Sequence, residues 1–121
     1  MTESQNAKPY DLEVRTFQFA RNVRGLVKQL PTAICHQEYG RQVIRSSGSV
    51  GANYIEANES LSKKDFLLRI KICRKEAKES SYWLRLIDVA PNEILERHKD
   101  ALAQEATELM SIFGAILRKT E

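Results

Sequence analysis

The sequence predicts an all-α fold, an antiparallel up-down-up-down four-helix bundle, and three observations carry that prediction. Breakers are scarce, with 5 Gly and 3 Pro in 121 residues, while the strong helix formers Ala, Leu, Glu, Lys and Arg are plentiful. Apolar residues recur at 100° per residue in four successive windows of about twenty to thirty residues. Pro31, the Ser60–Ser62 stretch and Pro91 punctuate those windows, and connections that short make consecutive helices antiparallel neighbours. One domain with a real core fits this length: a flexible tail over residues 1–9, then a bundle over residues 10–121.

The first window runs from Asp11 to Leu30. Leu12, Phe19, Val23, Leu26 and Leu30 share one face, with Arg21, Arg24 and Lys28 opposite. Asp11, just before the apolar run, is placed to cap the helix.

The second window contains SSGSVGANYIEANES, residues 46–60, in which small and polar residues suggest a loop at first sight. Helical periodicity argues otherwise. Tyr39, Val43, Ser46, Ser47, Val50, Tyr54, Ala57 and Leu61 fall on one face, and Glu38, Arg41, Arg45, Glu56 and Glu59 on the other. Two interior glycines cost a helix about 1 kcal/mol each. A close helix–helix contact at Ser46, Ser47 and Gly51 would offset that cost, because small side chains let backbones approach.

The third window runs from Lys63 to Val89, with Ser62 or Ser60 as cap and Asp65 in the first turn. Phe66, Ile70, Cys73, Ala77, Ser80, Ser81, Leu84 and Ile87 make its core stripe, while Leu68, Ile72, Trp83 and Leu86 gather on the far side. A helix apolar on two faces needs two partners. The fourth window runs from Asn92, a candidate N-cap, to Lys119. Its stripe is Leu95, Leu102, Ala106, Leu109, Phe113 and Ile116, and its wet face includes Glu93, Glu96, Asp100, Gln104, Thr107 and Ser111.

Net charge is +3, unevenly placed. From Arg41 to Arg85 there are ten Lys and Arg against five acids, leaving +5. Lys64, Lys71, Lys75 and Lys78 lie along one side of the third helix, and Arg41 and Arg45 are the basic residues of the second. Two readings stand: a solvated face, or a surface that contacts phosphates. No aromatic platform for stacked bases accompanies it. Val14, Phe17, Ile44, Ile55, Leu68, Ile72, Trp83 and Leu86 lie off the core stripes and form a candidate interface between copies of the chain; alternatively, Trp83 and Leu86 serve as bundle edges in a monomer.

Motif chemistry is thin. GSVG lacks the Lys-Ser/Thr pair and preceding strand of a phosphate loop. Cys35, His36, Cys73 and His98 lack the paired spacings of zinc ligands, and Cys73 fits a small buried hydrophobe. Glu56, Glu76 and Glu79 read as surface carboxylates paired with Arg69, Arg74 and Lys75. No metal, cofactor or small-molecule substrate is expected. Two cysteines do not make a disulfide scaffold. MTESQNAKPY has no apolar core, and no run approaches eighteen apolar residues, so neither a signal peptide nor a membrane span is expected and a cytoplasmic location follows.

The order Leu12…Val14…Phe17…Ala20, Leu30-Pro31, Arg45…Ser49…Asn53…Glu56, Ser62-Lys63-Lys64-Asp65-Phe66 and Glu76…Glu79…Leu84 resembles the bacterial four-helix-bundle proteins, also called the S23 or 23S rRNA intervening-sequence protein family. The likeness covers about residues 10–118 and is most specific in the second helix and the SKKDF start of the third. Where the family pattern reads Asn-Ile-Ala-Glu-Gly, this chain has Asn53-Tyr54-Ile55-Glu56-Ala57, and Gly51 stands where proline is common. The resemblance implies a non-enzymatic cytoplasmic protein that forms a ring-like homo-oligomer, a pentamer in preference, and associates with RNA or a nucleoprotein partner. Asn53, Glu56 and Glu79 are the polar positions of the family pattern, and in a ring Glu56 would face a neighbour's Arg or Lys. Two other readings remain: a protein-interaction scaffold without nucleic acid, and a small helical enzyme using His98 and a glutamate.

Overall fold

The computed structural model describes residues 11–121, so the expected flexible tail lies outside the described residues. Four helices follow in order: α1 (Leu12–Lys28), α2 (Ile34–Asn58), α3 (Lys63–Leu86) and α4 (Glu93–Thr120). There is no strand among the described residues. Three caps sit where the sequence places them. Asp11 accepts from the Val14 amide, Ser62 from the Asp65 amide and Asn92 from the Leu95 amide, each satisfying one orphan donor of a first turn.

Helix α2 packs on α1 and α3, and α4 packs on α3 and α1. Cross-helix pairs fix the directions. Arg45 meets Glu79 while Asn53 meets Arg69, so α2 and α3 run oppositely. Val27 lies against Gly40 while Thr16 lies against Gly51, so α1 and α2 do too. The core is continuous and apolar, centred on Phe19, Val23, Leu26, Val43, Val50, Ile70, Leu84, Leu109 and Phe113, all essentially inaccessible to solvent.

The stretch 46–53 is helical throughout, and its small residues serve two neighbours. A methyl group added at Gly51 would stand 3.0 Å from the Thr16 hydroxyl, which already donates to the Leu12 carbonyl at 2.7 Å. On the α3 side, the buried hydroxyls of Ser46 and Ser80 are hydrogen-bonded at 2.8 Å, and the Cys73 thiol donates to the Val50 carbonyl. Gly48, by contrast, is exposed and has open space where a side chain would stand.

Several expectations are corrected. Leu61 is not on the α2 stripe: the helix ends at Asn58 and Leu61 is fully exposed in the connection, because the Ser62 cap needs extended backbone there. Helix α3 stops at Leu86 rather than Val89, although Ile87 and Val89 remain buried. The α4 stripe closes on buried Leu117, with Ile116 only half-buried. Lys99, which the expected stripe does not include, lies at the core edge: its ammonium donates to the Ile87 carbonyl at 2.8 Å and pairs with Glu96. It thereby satisfies a carbonyl freed where α3 ends. At the same end of the bundle the ring nitrogens of His36 lie 3.0 Å from the carbonyls of Pro31 and Asp88, joining two connections.

Two outcomes are expected. Gly48→Ala will raise the midpoint of urea unfolding, by about 0.5–1 kcal/mol in stability, whereas Gly51→Val will lower it by about 1–3 kcal/mol through overpacking against Thr16. Burial pushes the Cys73 thiol up to about 12, so iodoacetamide at pH 8 will alkylate exposed Cys35 and leave Cys73 unmodified until the protein unfolds, as peptide mass mapping will show.

Candidate nucleic-acid interface and helix seams

Helix α3 separates its charges by side. At 100° per residue, Lys63, Lys64, Lys71, Arg74, Lys75, Lys78 and Arg85 fall within a sector of about 120°, and no acid of α3 falls in it. All seven residues are exposed, and none pairs with a carboxylate among the described residues. This sector borders α4. Lys78 and Arg85 line a cleft of about 490 Å³ along the α3–α4 seam, with Ser81, Gln104, Thr107 and Asp100. Lys63, Lys64 and Lys71 surround a second shallow depression at the start of α3 with Leu67 and Leu68. The lysines expected to share a face therefore do so, and Lys63, Arg74 and Arg85 join them.

Arg45 does not join them. It sits on α2 and turns to the opposite side of α3, where it pairs with Glu79 and approaches Glu76 at 3.6 Å. The partners expected for these acids, Arg69, Arg74 and Lys75, are displaced by a residue of another helix. The reason is burial: Glu76 is only 8% exposed, and a carboxylate at a helix seam needs a cation that reaches across it. One Glu76 oxygen accepts no hydrogen bond, so its compensation is coulombic. Arg69 also serves structure, donating to Asn53, whose amide in turn donates to Ser49. Asn53 is thus a tether between α2 and α3. Arg41 and Glu56 are exposed on α2.

Trp83 belongs to the same seam. It is half-buried, its ring 6.1 Å from Tyr39 of α2 and edge-on to Tyr82, and its indole N–H donates to Glu79 at 3.0 Å. Ile72 is half-buried as well. Part of the second apolar face of α3 therefore has its partner within the chain. That N–H does most to hold the Glu79 carboxyl below the usual carboxylate range; burial opposes it, and Arg45 adds a hydrogen bond and its charge. Val14, Phe17, Ile44, Ile55, Leu68 and Leu86 are exposed, as expected. Phe17 and Ile44 come together across α1 and α2, lining one shallow pocket with Arg21 and Gly48, and Arg21 lies over the Phe17 ring.

His98 and Glu105 both line a cleft of about 530 Å³ between α1 and α4, with Phe19 and Leu102, and share no hydrogen bond among the described residues. Both Glu105 oxygens, however, accept from Arg15, at 2.7 and 2.9 Å, and Arg15 also reaches Glu108. That bidentate pair raises the Arg15 guanidinium above its ordinary value, chiefly through the Glu105 hydrogen bond. A carboxylate so occupied is an anchor between α1 and α4, and its lone pairs are not open to a substrate proton. No group of three potential metal ligands occurs, and no helix is long and apolar enough to cross a membrane, among the described residues.

The architecture and its seams define an all-α, four-helix protein with a segregated cationic face. The chain belongs to the 23S rRNA-intervening sequence protein family, whose pattern matches residues 10–115. It is similar to a crystallised protein of unknown function from the S23 ribosomal protein family of Bacteroides thetaiotaomicron VPI-5482, at 29% identity and a TM-score of 0.72, over 87% of this chain and 96% of that one. No curated protein matches it.

Trp83→Phe removes the N–H that Glu79 accepts, so Glu79 will titrate at higher pH in the variant, as carbon-detected NMR of the carboxyl will show. A carboxylate with a depressed folded pKa stabilises above its unfolded value, about 4.3, and loses that contribution as pH falls through the folded value. The stability difference between wild type and Trp83→Phe will therefore be smaller at pH 3 than at pH 7 in urea unfolding.

Proposed function

We propose that this protein is a non-enzymatic, up-down-up-down four-helix bundle that self-assembles into a ring-like homo-oligomer, a pentamer in preference, in the cytoplasm. Its ligand is RNA, alone or within a nucleoprotein, held through the cationic sector of α3. The observation that carries this reading is that sector itself: seven exposed cations, no interspersed acid of α3 and no ion pair among the described residues. A face that merely keeps a helix solvated mixes signs, because i,i+4 pairs of opposite charge stabilise it by a few tenths of a kcal/mol. The name of the family points the same way. Without an aromatic platform, recognition rests on phosphates and shape. Arg45, bound to Glu76 and Glu79, is left out of this surface, and Arg41 is exposed on α2.

Self-assembly is supported by Phe17 and Ile44, large apolar side chains 59% and 42% exposed side by side on α1 and α2, together with exposed Val14, Ile55, Leu68 and Leu86. A scaffold whose only ligands are proteins would use this same surface and leave the lysines idle.

Gel shifts with a single-stranded RNA across a salt series test the RNA reading. Log affinity will fall with log salt at about 0.7 per phosphate neutralised, and Lys64→Gln/Lys71→Gln/Lys75→Gln will flatten the slope by about 2. Absence of binding at about 50 mM salt, where phosphate contacts are strong, would remove it. Light scattering on wild type will give a mass several times the protomer's, and Phe17→Glu and Leu68→Glu will reduce it; a wild-type mass of one protomer would remove the ring.

A further inference from the structure

Gly114 of α4 is buried against α3, and two guanidinium groups close over it. A methyl group placed there would sit 3.4 Å from Nη1 of Arg118 and 3.8 Å from Nε of Arg74. One arginine comes from α3 and the other from α4, so the pair is assembled by the fold and not by helix spacing. Both residues are exposed, and neither has a carboxylate partner or side-chain hydrogen bond among the described residues. Three other arginines grip an acid or an amide of a second helix: Arg15 holds Glu105 and Glu108, Arg45 holds Glu76 and Glu79, and Arg69 holds Asn53. Arg74 and Arg118 instead converge on one glycine. Like charges placed together repel, and the repulsion is relieved when an anion bridges them.

From this geometry we propose that Arg74 and Arg118 form a seat for a phosphate group above Gly114. A tetrahedral phosphate offers oxygens to two planar forks at once, and guanidinium is suited to that bidentate contact. Both arginine side chains lie within ordinary contact distance of position 114 on the α4 backbone. The seat opens onto the α3–α4 seam, where Lys78 stands about 6 Å further along α3 and Arg85 about 10 Å beyond that, at 1.5 Å rise per residue. A strand seated at Arg74 and Arg118 thus has further cations for its following phosphates, and the seam cleft between α3 and α4 is lined there by Ser81, Gln104 and Thr107. That the phosphate belongs to an RNA strand rests on the function proposed above; the seat itself does not.

The arginine Nε–H signals of the full chain, followed by NMR during titration with inorganic pyrophosphate, test the seat. The Arg74 and Arg118 signals will shift together along one binding curve while those of Arg24 and Arg97 stay fixed. Arg74→Gln will abolish the Arg118 shift, and retention of the wild-type melting temperature will show that the variant is folded. Arg74 and Arg118 signals that respond no more than Arg24 would overturn the seat, whatever RNA does. A second arm identifies the source of the phosphate. In fluorescence anisotropy with a twelve-nucleotide oligouridylate, Arg74→Gln/Arg118→Gln will weaken binding about tenfold at low salt and flatten the salt slope by about 0.7, one phosphate's worth for a single strand. A pyrophosphate response with RNA affinity unchanged would overturn the strand assignment and leave a seat for free phosphate compounds. No RNA binding by wild type would overturn the proposed function, with the seat still judged by pyrophosphate.

Discussion

Where Gly51 faces Thr16, α1 and α2 come close enough that one added methyl group would stand 3.0 Å from a hydroxyl. On its other flank, α2 meets α3 through the Ser46–Ser80 hydroxyl pair at 2.8 Å. A single thin stretch thus sets the spacing of two helix pairs. The hydroxyls buried there are all satisfied, Thr16 by the Leu12 carbonyl and Ser80 by the Glu76 carbonyl, so close approach is gained without orphaned polar groups. The two glycines of this stretch cost helix stability, and of the two only Gly51 is closely packed, Gly48 having open space.

That spacing determines what the charged side chains of α3 can reach. With α2 close, Glu76 and Glu79 lie within reach of Arg45, and Trp83 comes to rest by Tyr39. One side of α3 is therefore a closed seam in which acid, base and aromatic are mutually committed. The α4 side is built differently. Gly114 of α4 faces it, and the long side chains converging there are both cations. The two flanks of α3 therefore have opposite electrostatic character.

Periodicity made most of this legible. The four helices, their three caps and nearly all buried positions follow from a 100° repeat and cap chemistry, because burial depends on one helix face at a time. The errors have a common origin in contacts between helices. Leu61 has the phase of the α2 stripe but lies beyond its end. Trp83 has the phase of an outer face and is half-covered by α2. Glu76 and Glu79 have basic neighbours on their own helix and take one from another. Arg118 stands apart from the basic span and still converges with Arg74 on buried Gly114, a meeting set by the α3–α4 crossing. Lys99 is buried because α3 ends with a carbonyl beside it, a fact of chain termination that no hydropathy pattern records.

The cationic sector can be judged against the rest of the surface. Elsewhere among the described residues charges are interleaved: Glu93 lies 4.0 Å from Arg97, Lys99 pairs with Glu96, and Arg15 spans two acids. Helix α3 itself carries acids, but each lies outside the 120° sector, with Asp65 in the first turn where the dipole favours it. Seven cations placed on one side of a helix repel one another at short range, and at physiological ionic strength screening over about 8 Å reduces that repulsion without abolishing it between adjacent turns. Folding alone gives no return for the arrangement, since every seam of the bundle closes without these side chains except where Arg74 and Arg118 cover Gly114. A polyanion would give the return, because each phosphate it brought would relieve repulsion already present in the protein and release its own counterions. The same logic distinguishes the two arginines from the lysines around them: a lysine offers a mobile point charge, whereas two guanidiniums converging on one backbone position would define where a proposed phosphate stands.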